Sequence, residues 1–268
     1  MRLGKLLAII STFFSFSAIA GGIESPPFSF SGGYFGAGIG PHLLFFKQAT
    51  LLTVDHEIPV PNFFLVTESR ANMGKPGFIG NIHLGYGRSF NNIGYIAGEV
   101  FGEWYTNSAH FQQISQVVGV PATYILPEAF KINARHAFGL VLRTGIQPSW
   151  RTLIYIVLGV SWAKLVNSTD GGVAIPVSTQ PNLVHSLQLF PNSNSRNKAG
   201  FRAGLGTAIL LARHLVFRLE YYYTGYGRFN TLSPAFETDS VQDPFLLVFA
   251  HNAKVSTHAV TFNLDFLF

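Results

Sequence analysis

Apolar and polar residues alternate along eight stretches of this chain, each about as long as a tilted membrane-spanning strand. Side chains on a strand point to opposite faces in turn, so strict alternation marks a strand with one apolar and one polar side. The pattern is cleanest at the C-terminus. There Val260, Phe262, Leu264, Phe266 and Phe268 share one face, and Ala259, Thr261, Asn263, Asp265 and Leu267 share the other. Near the other end, Phe35, Ala37 and Ile39 alternate with Tyr34, Gly36, Gly38 and Gly40. Glycine repeated on one face marks a close backbone approach, as a narrow lumen would impose.

The second stretch sets Phe78, Ile82, Leu84 and Tyr86 outward against Asn81, His83 and Gly85. The third sets Ile96, Val100 and Trp104 against Glu99, Phe101 and Glu103. In the fourth, Phe138, Leu140, Leu142 and Ile146 face out, with Arg135, Arg143 and Gln147 predicted inward. The fifth alternates Ile154, Ile156, Leu158, Val160 and Trp162 with Tyr155, Gly159 and Ser161. The sixth turns Arg202 in and Phe201, Leu205 and Ile209 out. The seventh turns Arg218, Glu220 and Tyr222 in, and Phe217, Leu219, Tyr221 and Tyr223 out.

Connection lengths separate a barrel from a soluble sandwich. Short turns at 89–92, 148–151 and 212–214 alternate with long segments at roughly 48–76, 106–131, 165–198 and 225–252. Short turns at one end and long loops at the other are the arrangement of a barrel in the outer membrane, with both termini periplasmic. The expected fold is therefore all-β, a transmembrane antiparallel up-and-down barrel of eight strands. Recruiting the apolar run Phe63 to Val66 into the wall would make ten. Aromatic levels agree. Trp104, Trp162, Tyr221 and Tyr223 fall about 25 Å up the wall, at the outer girdle, while Phe90, Trp150 and Phe268 mark the periplasmic edge.

Composition supports the same picture. The chain is 48% hydrophobic and only 12% charged, against about 25% charged in an ordinary soluble domain. No stretch after the N-terminal segment offers the 18 or so consecutive apolar residues of a spanning helix. Residues 1–20 read as a secretory signal peptide: Arg2 and Lys5, an apolar run from Leu6 to Phe16, and Ala18-Ile19-Ala20, with cleavage expected after Ala20. Residues 21–268 are then one barrel domain in the outer membrane. Without Arg2 and Lys5, sixteen basic residues face thirteen acidic ones, and no basic run points to nucleic acid. Cysteine is absent, which excludes disulfides and thiolate metal sites.

Four stretches carry a family resemblance: Y-F-G-A-G-I-G at the first strand, G-E-V-F-G-E at the third, L-E-Y-Y-Y-T-G-Y-G at the seventh, and the terminal Phe268. Together they make Gly32 to Phe268 resemble the OmpA-type transmembrane barrels, in the broader group that includes the opacity-protein surface antigens. The peptidoglycan-binding domain of OmpA itself is lacking, so a cell-wall tether is not implied. The resemblance implies a non-enzymatic surface protein that supports envelope integrity and contacts host surface molecules through its outer loops. It implies lipid and lipopolysaccharide of the outer membrane as surroundings. It further implies that Phe266 and Phe268 close the strand read by the barrel assembly machinery.

The inward positions hold the candidate chemistry. Glu99, Glu103, Arg135, Arg143, Arg202, Arg218, Glu220 and Asp265 place both signs at similar heights. Charges removed from water need partners, so a cross-barrel network is expected, with Glu99, Glu103 and Glu220 against Arg143, Arg202 and Arg218. Such a network either plugs the lumen or gates a narrow path for ions or apolar solutes. A lipid-modifying enzyme would need a Ser–His–acid set at the rim. Ser256 and His258 share a face, but no acid lies level with them, and His136 and His185 are unsupported. No cofactor is implied, and no paired histidine spacing marks a metal site. The long segments carry apolar runs broken by proline, and are expected to extend the strands into a self-packed β cap.

Overall fold

A strand with one apolar face cannot be left with open edges in lipid, because every backbone donor and acceptor there needs a partner. The chain meets this by closing a sheet on itself. The computed structural model describes residues 30–55, 69–90, 93–106, 108–118, 123–170, 173–177, 187–189, 192–237 and 246–268. The reading of 1–20 as a signal peptide and the run Phe63 to Val66 lie outside the described residues.

Eleven strands are described: β1 (Gly32–Asp55), β2 (Ser69–Phe90), β3 (Gly94–Tyr105), β4 (Ser108–Val118), β5 (Thr123–Ser149), β6 (Thr152–Asp170), β7 (Val173–Val177), β8 (Leu187–Leu189), β9 (Asn192–Ala212), β10 (Leu215–Glu237) and β11 (Leu246–Leu267). Eight form the wall, in the order β11-β1-β2-β3-β5-β6-β9-β10, and β10 pairs back onto β11. The fold is thus a closed antiparallel eight-stranded transmembrane β-barrel. Its seam joins the two ends of the chain, pairing Phe35 with Phe266 and Ile39 with Phe262. Phe268 N donates to Gly33 O at 2.9 Å, and Leu267 N to His214 O at 2.8 Å, so the last two residues are tied to both neighbours.

The short turns fall where expected, between β2 and β3, β5 and β6, and β9 and β10. The strands, however, far outrun the lengths read from alternation. β1, β2, β5, β9, β10 and β11 each run 21 to 27 residues. Segments read as long loops are strand in their described parts, because their β-branched and aromatic runs pair there. β4 continues the line of β3 along β5. β6 and β9 stop pairing at Thr169 and Asn192, and the β7–β8 pair then bridges β5 to β10.

The outer surface is an apolar band. Ile39, Phe78, Ile82, Leu84, Phe138, Leu140, Phe201 and Leu264 are each at least half exposed, which only a lipid environment tolerates. The inner face is stratified. A periplasmic layer packs Tyr34, Tyr95, Leu153 and Leu267 around Phe30, and an outer layer packs Leu44, Phe46, Leu165 and Val255. Between them lies a charged stratum. Glycine lets the seam close over it: a Cβ at Gly36 would run into the Asp265 carboxylate and the His83 imidazole, and one at Gly38 into the Asn263 carboxamide.

Besides register shifts beside the β5–β6 and β9–β10 turns, two β-bulges interrupt the wall above the charged stratum. On β5, Ala134 pairs with Leu165 and Ala137 with Ala163, so Arg135 and His136 together face the single residue Lys164. On β10, Gly225 pairs with Ser256 and Arg228 with Lys254, and Gly227 sits at φ 71°. An extra residue reverses the alternation beyond it.

Candidate functional site

The charged stratum is built by alternation alone. β3 supplies Glu99 and Glu103, β5 Arg143, β9 Arg202, β10 Arg218 and Glu220, and β11 Asp265, all buried. The structure brings these seven together inside the barrel, in two groups.

The outer group centres on Glu103. Arg202 Nη1 and Nη2 donate to its two carboxylate oxygens at 2.6 Å each. Tyr222 Oη donates to Oε1 and Tyr105 Oη to Oε2, both at 2.8 Å. Arg202 Nε donates to Thr224 Oγ1 at 3.1 Å. The guanidinium lies over the rings of Phe101 and Tyr222, 4.0 and 4.1 Å from their centroids. Every oxygen lone pair of Glu103 that faces the lumen is thus engaged, and Arg202 is held by fork, hydroxyl and π faces at once.

The periplasmic group is branched. Arg143 pairs with Glu220 at 3.0 Å and with Glu99 at 2.5 Å. Arg218 meets Glu99 at 3.0 Å, Asp265 at 2.8 Å and Glu220 at 3.7 Å. Two of these contacts, through Arg143 Nη1 and Arg218 Nε, have ion-pair distances without hydrogen-bond angles. Tyr155 Oη donates to Glu220 at 2.6 Å, and Tyr34 Oη to Glu99 at 3.1 Å. His83 Nε2 lies 2.7 Å from Asp265 and 2.6 Å from Arg218 Nη2, and Nδ1 lies 3.0 Å from Asn81. Three carboxylates therefore face two guanidinium groups here, and with the Glu103–Arg202 pair the stratum holds four carboxylates and three guanidinium groups.

Little room remains. The space among Glu99, Glu103, Arg143, Arg202, Arg218 and Glu220 is about 10 Å³. A second cavity beneath, bounded by Tyr34, Tyr95, Arg143 and Tyr155, is about 20 Å³. A water needs roughly 10–15 Å³, so each holds about one. At this level the lumen is filled by its own side chains, as expected of eight strands.

One predicted member is elsewhere. Arg135 is exposed on the outer surface, not in the lumen, because the β5 bulge breaks the count by twos from Arg143. Of the girdle residues, Trp104 is exposed, Trp162 stacks on Phe138 with centroids 5.7 Å apart, and Tyr221 and Tyr223 contact the His258 ring. Trp150 is half-buried at the β5–β6 turn, beneath Arg151 at 4.2 Å. Phe266 and Phe268 face outward beside Phe35.

Sequence reasoning passed over the tyrosine shell. Tyr34, Tyr105, Tyr155 and Tyr226 are buried and aim hydroxyls at or beside the carboxylates. The same parity that located the charges places them inward; only their hydroxyl role was unread. His42 was missed too. It is buried against Tyr105, with the backbone of Gly77 and Phe78 beside its ring.

Ser256 and His258 do lie outside together, with Tyr221 Oη 2.8 Å from His258 Nδ1. All four acidic side chains described in the wall point inward, so no carboxylate among the described residues completes a triad there. His136 is exposed on the bulge, and His185 lies outside the described residues.

A closed eight-stranded wall, an apolar exterior and a charge-filled interior define a small transmembrane barrel of the kind found in Gram-negative outer membranes. No protein-family model matches the chain, and no curated protein does. Among solved structures it is similar to the outer membrane protein OprG from Pseudomonas aeruginosa, at 13% identity over 90% of this chain and 99% of that one, with a TM-score of 0.43. It is also similar to Ail, the attachment invasion locus protein of Yersinia pestis, at 14% identity over 84% and 99%, TM-score 0.32. Neisserial surface protein A aligns at 10% identity over 86% and 99%, TM-score 0.31. These likenesses carry no functional argument.

Proposed function

We propose that the chain is a non-conducting barrel of the outer membrane, whose lumen is a structural brace and whose outer strands make the contacts that matter. In this reading it stiffens the envelope and presents a surface, including to host molecules. The observation that supports it is the charged stratum, which leaves only about 10 Å³ free at its centre. Planar-bilayer recording of the wild-type chain and of Glu103→Gln tests it. No steady conductance from the wild type is expected. A stable wild-type conductance whose amplitude changes in Glu103→Gln would refute the brace and favour a gated channel.

A further inference from the structure

The cations outside the lumen are arranged as deliberately as those within. Lys47, Lys254 and Arg228 are exposed on the outer face of β1, β11 and β10. Lys47 is the direct cross-strand partner of Lys254, and Lys254 of Arg228, so three positive charges stand in one row across three strands. Neighbours in such a row are about 4.5–5.5 Å apart, and like charges placed so repel. Among the described residues none of the three has an acidic partner, and the four described acidic side chains of the wall are inside. A fourth cation approaches: Lys198 Nζ donates to the Arg228 carbonyl at 3.1 Å.

Arg228 reaches this row only through the β10 bulge. By unbroken alternation from Tyr221 and Tyr223 it would point inward; the extra residue, with Gly227 at φ 71°, turns it out. That backbone conformation suits glycine and strains most other residues. The β5 bulge does the same on the far side of the barrel, exposing Arg135 opposite Lys164. Two separate backbone irregularities thus bring an arginine outward.

Both groups stand directly above aromatic residues. Below the row lie Phe45, Tyr221 and Tyr223, packed about His258. Below Arg135 and Lys164 lies the Phe138–Trp162 stack. Lys254 is about fourteen residues above Phe268; at about 3.3 Å per residue and a tilt near 40°, that is about 35 Å. The apolar band is about 25 Å tall, so the row sits about 10 Å past its edge, at headgroup depth.

We propose that this rim is a binding surface for lipids whose headgroups carry more than one phosphate, held by Lys47, Lys254 and Arg228 on one side and by Arg135 and Lys164 on the other. Arginine forks match phosphate oxygens in pairs, lysines add mobile point charges, and a row spanning about 10 Å suits several phosphates better than one. The inference rests on the reading of the chain as an outer-membrane protein.

The test uses the full mature chain in nanodiscs of phosphatidylcholine containing bis-phosphorylated lipid A, its dephosphorylated form, or phosphatidylglycerol at matched charge. Lipid retained by the barrel is counted by native mass spectrometry. Selective retention of the bis-phosphorylated lipid is expected, with at least a tenfold loss in Lys47→Gln/Arg228→Gln/Lys254→Gln and recovery in Arg228→Lys. Equal retention of the dephosphorylated lipid, or full retention by the triple variant, overturns the proposal. Equal retention of phosphatidylglycerol overturns its multi-phosphate specificity. If the triple variant does not fold, salt titration of the wild type decides: retention unchanged between 0.05 and about 0.5 M salt refutes a charge-based surface. Failure of the wild type to insert as a heat-modifiable barrel overturns the outer-membrane reading as well.

Discussion

Removing the Glu103 charge is the sharpest probe of the lumen. Glu103 accepts four hydrogen bonds, two from Arg202 and one each from Tyr222 and Tyr105. In Glu103→Gln one acceptor becomes an NH₂ group, which faces an arginine nitrogen that can only donate. Arg202 is then a buried charge with half its fork opposed, and breaking a buried pair in this way costs about 3–5 kcal/mol. Arg202→Met strands the Glu103 carboxylate instead, at a similar cost. If the two sites were independent, Glu103→Gln/Arg202→Met would lose about 6–10 kcal/mol. Instead, removing both charges eliminates the desolvation penalty, leaving mainly the new amide NH₂ unpaired, since its carbonyl oxygen still accepts from a tyrosine, at about 1–3 kcal/mol. The double variant is therefore expected to be more stable than either single one. Urea unfolding in lipid vesicles, followed by tryptophan fluorescence and heat-modifiable migration, measures all four proteins. Additivity within about 0.5 kcal/mol would refute the buried-pair reasoning.

Three further outcomes follow from the geometry. Arg143→Gln should lose about 3–5 kcal/mol, whereas Arg135→Gln, on the outer surface, should stay within about 0.5 kcal/mol; equal losses in the same unfolding assay would return Arg135 to the lumen. Gly38→Leu should sharply reduce refolding yield, because its side chain meets Asn263, while Gly80→Ala, whose Cβ meets nothing within 4 Å, should refold normally. Deleting Phe268 should lower the amount of barrel in outer-membrane fractions several-fold, more than deletion of residues 170–190; normal levels would exclude the terminal residue as an assembly signal.

The fold was legible because a two-residue period carries two facts at once: that a segment is a strand, and which residues it buries. Counting by twos along β3, β9 and β10 reaches Glu99, Glu103, Arg202, Arg218 and Glu220 without error, since those strands are regular at that level. Counting fails at Arg135 because a bulge is a local backbone event, and alanine, arginine and histidine at 134–136 do not announce one. Gly227 does give a cue, a glycine amid tyrosines, but not which neighbour it redirects. The apolar runs above the lipid pointed to strands extended into a cap, but where each strand ends was not legible, because proline and mixed polarity look like loop when no bilayer imposes alternation. The tyrosine shell was hidden differently: its positions were readable, but hydroxyl direction depends on rotamers and on partners across the barrel.

The two bulges also bear on how the wall tolerates changes in chain length. Losing one residue from a regular strand, at Val141 for instance, would slide everything beyond it into opposite phase and exchange lumen for lipid. At Arg135 and Gly227 one residue is already surplus to the ladder. Its loss would leave the register on either side intact and merely flatten the strand. Insertions and deletions should therefore be survivable at these two points, at the outer rim of the wall, and ruinous a few residues deeper in the spanning region, making them places where a barrel of this kind is free to vary in length.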